Sequence, residues 1–396
     1  MNRSGLTRRQ TLTAIGLATA AGAAGCGGTS SPTTTGTSTA RPTVPVTPSK
    51  SRLDEAALRR KIASLLVVGF RGQTVGPNDW IVHAIQAGLG GVILFDRDQL
   101  TNAPRNITSP KQVTSLIATL RKAAPSGQLI VSIDQEGGRI ARLNPSNGFP
   151  ASLSEAQVGA ANSLATTRTW AQGLVGSMRS IGVNLNYAPV VDMNINPHNP
   201  AIGALGRSFS SNANVVVANA SEEIKVHRSA AIKTTLKHFP GFGSATGNTD
   251  FGVVDVSKTW RSSELVPYQQ LIAAGLADSV LVAHLLNRQL DPSLPASLSR
   301  NVVNGLLRGR LRWTGPVVSD DMQAVAITSK YRASAATAMA LSAGVDLLVY
   351  ANQQAYNAHV FDETLDTVVG LVRNGHLTEA AIDQAVARVD RLRPAK

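Results

Sequence analysis

From Leu53 onward the chain repeats one pattern, a short apolar run, then a loop, then a helical stretch. The apolar runs are Leu65–Phe70, Gly91–Phe95, Leu129–Asp134, Val183–Asp192, Ile232–His238, Ser279–His284, Pro316–Asp320 and Val345–Tyr350. Most are continuous rather than alternating, which marks strands covered on both faces and therefore parallel. Between them lie stretches with helical spacing, such as Lys111–Ala123, Leu164–Ile181 and Ala333–Ala343. Eight strand–helix units predict an α/β protein with a (β/α)8 TIM-like barrel as its single catalytic domain. A doubly wound sheet competes less well, because Gly241-Phe242-Gly243 lacks the third glycine of a dinucleotide fingerprint and no Gly-x4-Gly-Lys phosphate loop occurs. The pattern ends in a helix in which Thr378 caps a stripe of Ile382, Val386, Val389 and Leu392.

The barrel expectation makes the ends of the runs informative, since barrel active sites form at the C-terminal ends of the strands. Those ends carry Asp134, Asp192, Lys237 with His238, His284, and Asp320. A lone Asp in such a place is ordinarily a cap for the next helix. Polar termini on five runs that converge on one face point instead to a site. Within it, His284 reads as a packed, hydrogen-bonded support, and Asp321 as a residue that orients its loop or caps the next helix.

Composition sharpens the compartment more than the chemistry. The chain has 38 Lys and Arg against 25 Asp and Glu, a formal charge of +13, of which residues 1–50 hold +5 with no acid at all. The moderately basic remainder suits anionic surroundings such as cell-wall polymers or lipid headgroups. Nucleic acid is excluded as a partner, because no basic stripe interleaved with aromatics and no helix-turn-helix or zinc-finger spacing is present. Thr7-Arg8-Arg9-Gln10-Thr11-Leu12 resembles a twin-arginine export signal, and the Ala-rich run after it is too short to span a bilayer. It ends at Ala23-Ala24-Gly25-Cys26, which resembles a lipoprotein processing box with Cys26 as the lipidation site. Cys26 is the single cysteine, so neither a disulfide within the chain nor a thiolate metal cluster is expected. Residues 27–50, rich in Ser, Thr, Pro and Gly, read as a flexible tether from membrane to domain. The expected layout is a signal peptide over 1–26, the tether over 27–50 and the barrel over 51–396, in a protein exported and lipid-anchored to the outer face of the cell membrane.

The chemistry follows from what is missing as well as what is present. No Gly-x-Ser-x-Gly elbow and no His-Glu-x-x-His motif occurs. Two aspartates and one histidine, Asp134, His238 and Asp320, could in principle ligate a metal. Carboxylates mixed with Lys, Arg and His suit sugar chemistry better, because hydroxyl-rich ligands need fixed donors and acceptors and glycosidic cleavage needs a carboxylate beside an oxocarbenium-like centre. No cofactor and no metal is expected.

The ordered motifs Val67–Gly69, Gly90-Gly91-Val92-Ile93-Leu94-Phe95, Asp134-Gln135-Glu136-Gly137-Gly138-Arg139, Ala188-Pro189-Val190-Val191-Asp192, Gly206-Arg207-Ser208-Phe209, Lys237-His238-Phe239-Pro240-Gly241 and Ser319-Asp320-Asp321 resemble glycoside hydrolase family 3. Within it they are similar to the single-domain β-N-acetylhexosaminidases that recycle peptidoglycan sugars, and the resemblance runs from Leu53 to Arg393. It implies a retaining exo-glycosidase with Asp320 as nucleophile, and Asp134, Arg207, Lys237 and His238 holding an N-acetylglucosamine unit. Gly137-Gly138 reads as a tight turn, with Glu136 and Arg139 paired beside it.

The chain departs from that family at one place. The loop after Lys-His-Phe-Pro-Gly usually continues His-Gly and later supplies Asp-Ser-His, whose His is the acid/base. Here it reads Phe242-Gly243 and later Asn248-Thr249-Asp250, so that Asp250 stands where the His is expected. An ordinary Asp titrates about 2.6 units below His, and matching it requires about 3.5 kcal/mol of burial or like-charge pressure. Three outcomes are open: an enzyme with Asp250 as acid and a lower pH optimum, a slow enzyme that prefers good leaving groups, or a sugar-binding lipoprotein without turnover. A β-glucosidase of the same family is the remaining alternative.

Overall fold

The structure is a computed structural model and describes residues 54–395. The export signal, Cys26 and the tether lie outside the described residues. Among those residues, eight parallel strands close into a barrel: β1 (Leu66–Gly69), β2 (Gly91–Ile93), β3 (Ile130–Ile133), β4 (Leu185–Asn186), β5 (Lys233–Phe239), β6 (Ser279–Val282), β7 (Val317–Asp321) and β8 (Leu347–Tyr350). Closure is made by β1 against β8, with Leu66 level with Leu348. The strands are buried nearly throughout, as unbroken apolar runs require when helices cover the outside and side chains fill the inside.

The helices start and stop on local signals. Helix Leu164–Ile181 begins where Ser163 Oγ accepts the Thr166 N–H (3.3 Å) and ends at Gly182 in the left-handed region; its Trp170, Leu174, Met178 and Ile181 are buried. Thr378 caps helix Glu379–Val389 through the Ala381 N–H (3.1 Å). Helices Leu164–Ile181 and Ala333–Ala343 have the bounds expected from their spacing, and the helix expected at Lys111 starts one residue earlier, at Pro110.

Two strands differ from expectation. The fourth run extends as regular strand only over Leu185–Asn186, because Pro189 has no N–H to give the ladder; a lone bridge, Val190 to Lys237, resumes the pairing and carries Asp192 to the rim. The third run stops at Ile133, and Gln135–Gly137 folds back on Ile140–Ala141 as a small antiparallel hairpin. Gln135 pins that hairpin, its side chain exchanging two hydrogen bonds with the Leu143 backbone (2.9 and 3.0 Å). Gly137 and Gly138 both have positive φ, and a Cβ on Gly137 would stand 2.4 Å from the Leu153 carbonyl, so the turn there needs glycine.

The rim is fastened by a buried cation. Arg105 donates to the carbonyls of Phe70 (2.8 Å), Asn352 (2.9 Å) and Ala351 (3.0 Å), which tie the loop after β2 to the ends of β1 and β8. Burial pulls its pKa down to about 10, against the opposing pull of Asp98. It remains a cation at any physiological pH.

Candidate active site

A cavity of about 630 Å³ opens at the C-terminal ends of the strands. Asp134, Glu136, Arg142, Arg207, Lys237, His238, Asp250, Asp320 and Asp321 all line it. Every catalytic and sugar-binding residue expected from the sequence is therefore brought to one place. The expected lipidation site, Cys26, lies outside the described residues.

Two register irregularities explain how neighbouring residues reach one cavity. Leu236 to Phe239 on β5 spans the same length as Val280 to Val282 on β6, so the extra residue falls at Lys237-His238. Val318 to Asp321 on β7 likewise faces Leu347 to Val349 on β8, with the extra residue at Ser319-Asp320. A regular strand sends consecutive side chains to opposite faces; a bulge re-aims one of them. Lys237 with His238, and Asp320 with Asp321, thereby share the same opening.

One wall of the cavity is a closed ionic network. Lys237 Nζ lies 2.7 Å from Asp134 Oδ1 and 2.6 Å from Glu136 Oε1. Arg207 grips Glu136 with both prongs, Nε and Nη2 each at 2.7 Å, and gives Nη1 to the Ala201 carbonyl at 2.7 Å. Arg207 Nη2 also stands 3.3 Å from His238 Nε2, and His238 Nδ1 is 2.7 Å from Asp192 Oδ2. A carboxylate only accepts and a guanidinium only donates, so Nδ1 carries the proton and Nε2 the lone pair. Asp192 is itself held by the Phe242 N–H (2.8 Å). Burial alone would raise the pKa of Asp134, yet Lys237 and then Arg142, at 3.8 Å, hold it below the usual carboxylate range. Burial acts on Glu136 in the same way, and Arg207 with Lys237 overcomes it still more strongly. Lys237 is raised despite its burial, by Asp134 and Glu136.

The pairing of Glu136 with Arg139 does not occur. Arg139 is exposed, and Glu136, 1% exposed, is taken by Arg207 and Lys237. A buried carboxylate takes the cations that reach it, and the hairpin turn points Arg139 outward. Arg207 accordingly spends most of its donors on protein partners and acts chiefly by fixing Glu136 and His238.

The opposite character marks the acids beyond this network. Asp320, next to the last residue of β7, is half-buried, with Oδ1 accepting the Asp321 N–H at 2.9 Å. Asp321 accepts the Gln323 and Ala351 N–H groups at Oδ1 (3.1 and 3.0 Å), while its Oδ2 is buried without a partner. It orients the loop and does not cap the next helix, whose N-cap is Ala324. Burial, reinforced by Asp320 and Asp250, pushes its pKa up to about 7. Beneath β7, His284 bridges Ser297 Oγ (2.6 Å) and the Asp321 carbonyl (2.8 Å); it is buried and lowered in pKa by that burial, a support as expected.

The loop that departs from the family pattern is docked, not open. Asn248 Oδ1 accepts the Asp250 N–H (2.9 Å), and the Thr249 and Asp250 carbonyls accept from Ala326 (3.1 Å) and Val325 (3.4 Å). Asp250 therefore sits in the cavity, and burial, followed by the charge of Asp320, raises its pKa to about 6. Phe242 is buried and packs edge-on against His238, with ring centroids 5.6 Å apart. Sequence reasoning assigned no role to Asp192 as the partner of His238, nor to Arg142. The signal for Arg142 was its place three residues after Arg139 on the far side of the glycine turn.

A parallel barrel that gathers around one open polar cavity fixed cations, paired acids and three aspartates (Asp250, Asp320 and Asp321) without a salt-bridge partner among the described residues has the make-up of a carbohydrate-processing enzyme. Residues 57–392 match the model of the glycosyl hydrolase family 3 N-terminal domain, and the chain belongs to that family. A β-hexosaminidase of Stenotrophomonas maltophilia is 34% identical over 319 residues, covering 77% of this chain and 87% of the relative. Among solved structures, a β-N-acetylhexosaminidase from Beutenbergia cavernae is similar at 29% identity and a TM-score of 0.74, over 84% of this chain and 97% of that one. A family 3 β-N-acetylglucosaminidase from Paenibacillus is similar at 32% identity and a TM-score of 0.76, over 85% of this chain; the chain spans 62% of that protein's length.

Proposed function

We propose that this glycoside hydrolase removes terminal β-linked N-acetylglucosamine from cell-wall fragments, with retention of configuration. In this reading the Asp320 carboxylate forms a bond to the anomeric carbon as the glycosidic carbon–oxygen bond breaks, and Asp250 gives its proton to the departing oxygen. Water, deprotonated by Asp250, then displaces Asp320 and regenerates both groups. Asp134, Lys237 and His238 hold the sugar, with Arg207 fixing the network behind them. The names borne by the relatives support the choice of sugar. The twin-arginine pattern and Cys26 support export and a lipid anchor, which would bring the barrel to that substrate.

The single observation that carries the reading is the placement of Asp250. It shares a cavity with Asp320, and its raised pKa of about 6 lies close to the ordinary value of the histidine it replaces. This favours turnover over a binding protein, and it moves the expected pH optimum back toward that of a histidine acid. The decisive experiment is mass spectrometry after incubation with a 5-fluoro N-acetylglucosaminyl donor. A covalent adduct on the peptide bearing Asp320, absent in Asp320→Asn, is expected. Turnover without any adduct, or an adduct on another carboxylate, would sink the assignment.

A further inference from the structure

We propose that Phe251 is the wall on which the leaving-group sugar ring rests, and that this one side chain sets the preference for a carbohydrate over a small leaving group. The assignment builds on the glycosidase reading and goes beyond it to the other side of the broken bond.

Phe251 is 70% exposed, the largest value among the exposed large apolar residues described, and it contributes to the cavity lining. The other aromatics of that lining, Phe95, Tyr187 and Phe242, are buried in the protein and present no free face. A single apolar residue on a surface is ordinary; what sets Phe251 apart is that its exposed ring belongs to the lining of a polar cavity that also holds Asp250.

Its position relative to the chemistry is fixed by the backbone. The Phe251 N–H donates to the Asn248 carbonyl (3.1 Å), which closes the turn that also holds Asp250 through Asn248 Oδ1. That turn is anchored in turn to Ala326 and Val325. The proton of Asp250 goes to the oxygen between the two sugars, so the group that departs lies beside Asp250. Phe251 is the next residue along the same rigid turn. A pyranose offers carbon-bound hydrogens on its face and hydroxyls on its rim. The ring of Phe251 matches the face.

The test compares two substrates that differ only in what departs: N-acetyl-β-glucosaminyl fluoride, with a one-atom leaving group, and the β-1,4-linked disaccharide of N-acetylglucosamine. Phe251→Ala is expected to lower kcat/KM on the disaccharide roughly five- to tenfold, mainly through KM, and to leave the fluoride within about twofold. Phe251→Trp restores the disaccharide rate. A loss on the disaccharide carried by kcat would show that Phe251 merely steadies the turn of Asp250, because the fluoride departs without a proton and is spared when the acid is displaced. Equal losses on both substrates would show a general defect, and no loss on either that nothing rests on it; each overturns the proposal alone. A wild-type protein inert toward both substrates overturns the glycosidase reading and this assignment with it.

Discussion

The two walls of the cavity handle charge in opposite ways. On the first, Asp134 and Glu136 face Lys237, Arg207 and Arg142, and both acids are held below their ordinary pKa. On the second, Asp250, Asp320 and Asp321 stand together with no salt-bridge partner among the described residues, and burial raises Asp250 to about 6 and Asp321 to about 7. The burial penalty enters on both walls; what differs is whether a cation answers it. A neutralised network is rigid and has no proton to give near neutral pH, which suits holding a substrate. A crowd of unanswered acids keeps a proton at the pH where catalysis needs it. The contrast separates binding from chemistry inside one pocket.

Breaking the first wall is expected to give the largest effect. Lys237→Met removes the cation between two buried acids and is expected to destabilise the fold by about 3–5 kcal/mol at pH 7, read from the denaturant midpoint. The sign follows from the depressed pKa values of Asp134 and Glu136. In the wild type their ionisation contributes stability above the ordinary carboxylate range, and it is lost as pH falls through the folded values. In the variant those values rise, so the deficit shrinks on acidification. A deficit that stays constant with pH would show that Lys237 contributes packing and not charge.

Breaking the second wall tests chemistry before stability. Asp250→Ala is expected to lower kcat/KM roughly 10²–10⁴-fold on substrates with poor leaving groups, and far less on an activated aryl glycoside. Added azide should restore rate to the variant by attacking the glycosyl enzyme in place of activated water. The wild-type profile should fall above about pH 6, as Asp250 loses its proton, and the variant should lack that limb. Unchanged rates in Asp250→Ala would remove Asp250 from the mechanism.

How much of this could be read from the chain alone depends on the distance over which each feature is built. The barrel was legible because buried parallel strands write themselves as unbroken apolar runs, and the ends of those runs named Asp134, Lys237, His238 and Asp320. Even the bulges left a trace, in that polar residues stand consecutively at Lys237-His238 and Asp320-Asp321 where a regular strand would place one. The partnerships were not legible. Glu136 lies near Arg139 in the chain, yet it is Arg207 and Lys237, brought round by later strands, that reach it. Nor could the substitution at Asp250 be weighed from sequence. An aspartate in place of a histidine leaves an enzyme with an Asp acid, a slow enzyme and a binding protein all open until burial and the charge of Asp320 are seen to raise its pKa to about 6.

The smallest expected effect bears most directly on the contrast, because it reverses the sign found on the first wall. A carboxyl whose folded pKa is raised penalises the fold once it ionises, so stability falls as pH climbs from the ordinary Asp value through about 6. Asp250→Asn carries no such penalty. It should therefore be more stable than the wild type at pH 7.5, by about 1–3 kcal/mol, and indistinguishable from it near pH 4. Thermal or denaturant unfolding at the two pH values decides the matter. A variant less stable at pH 7.5 would mean that the Asp250 carboxylate is welcomed by its surroundings, and the second wall would then be only a looser copy of the first. A more stable and less active variant would show that the fold gives up stability at this position to keep a proton available.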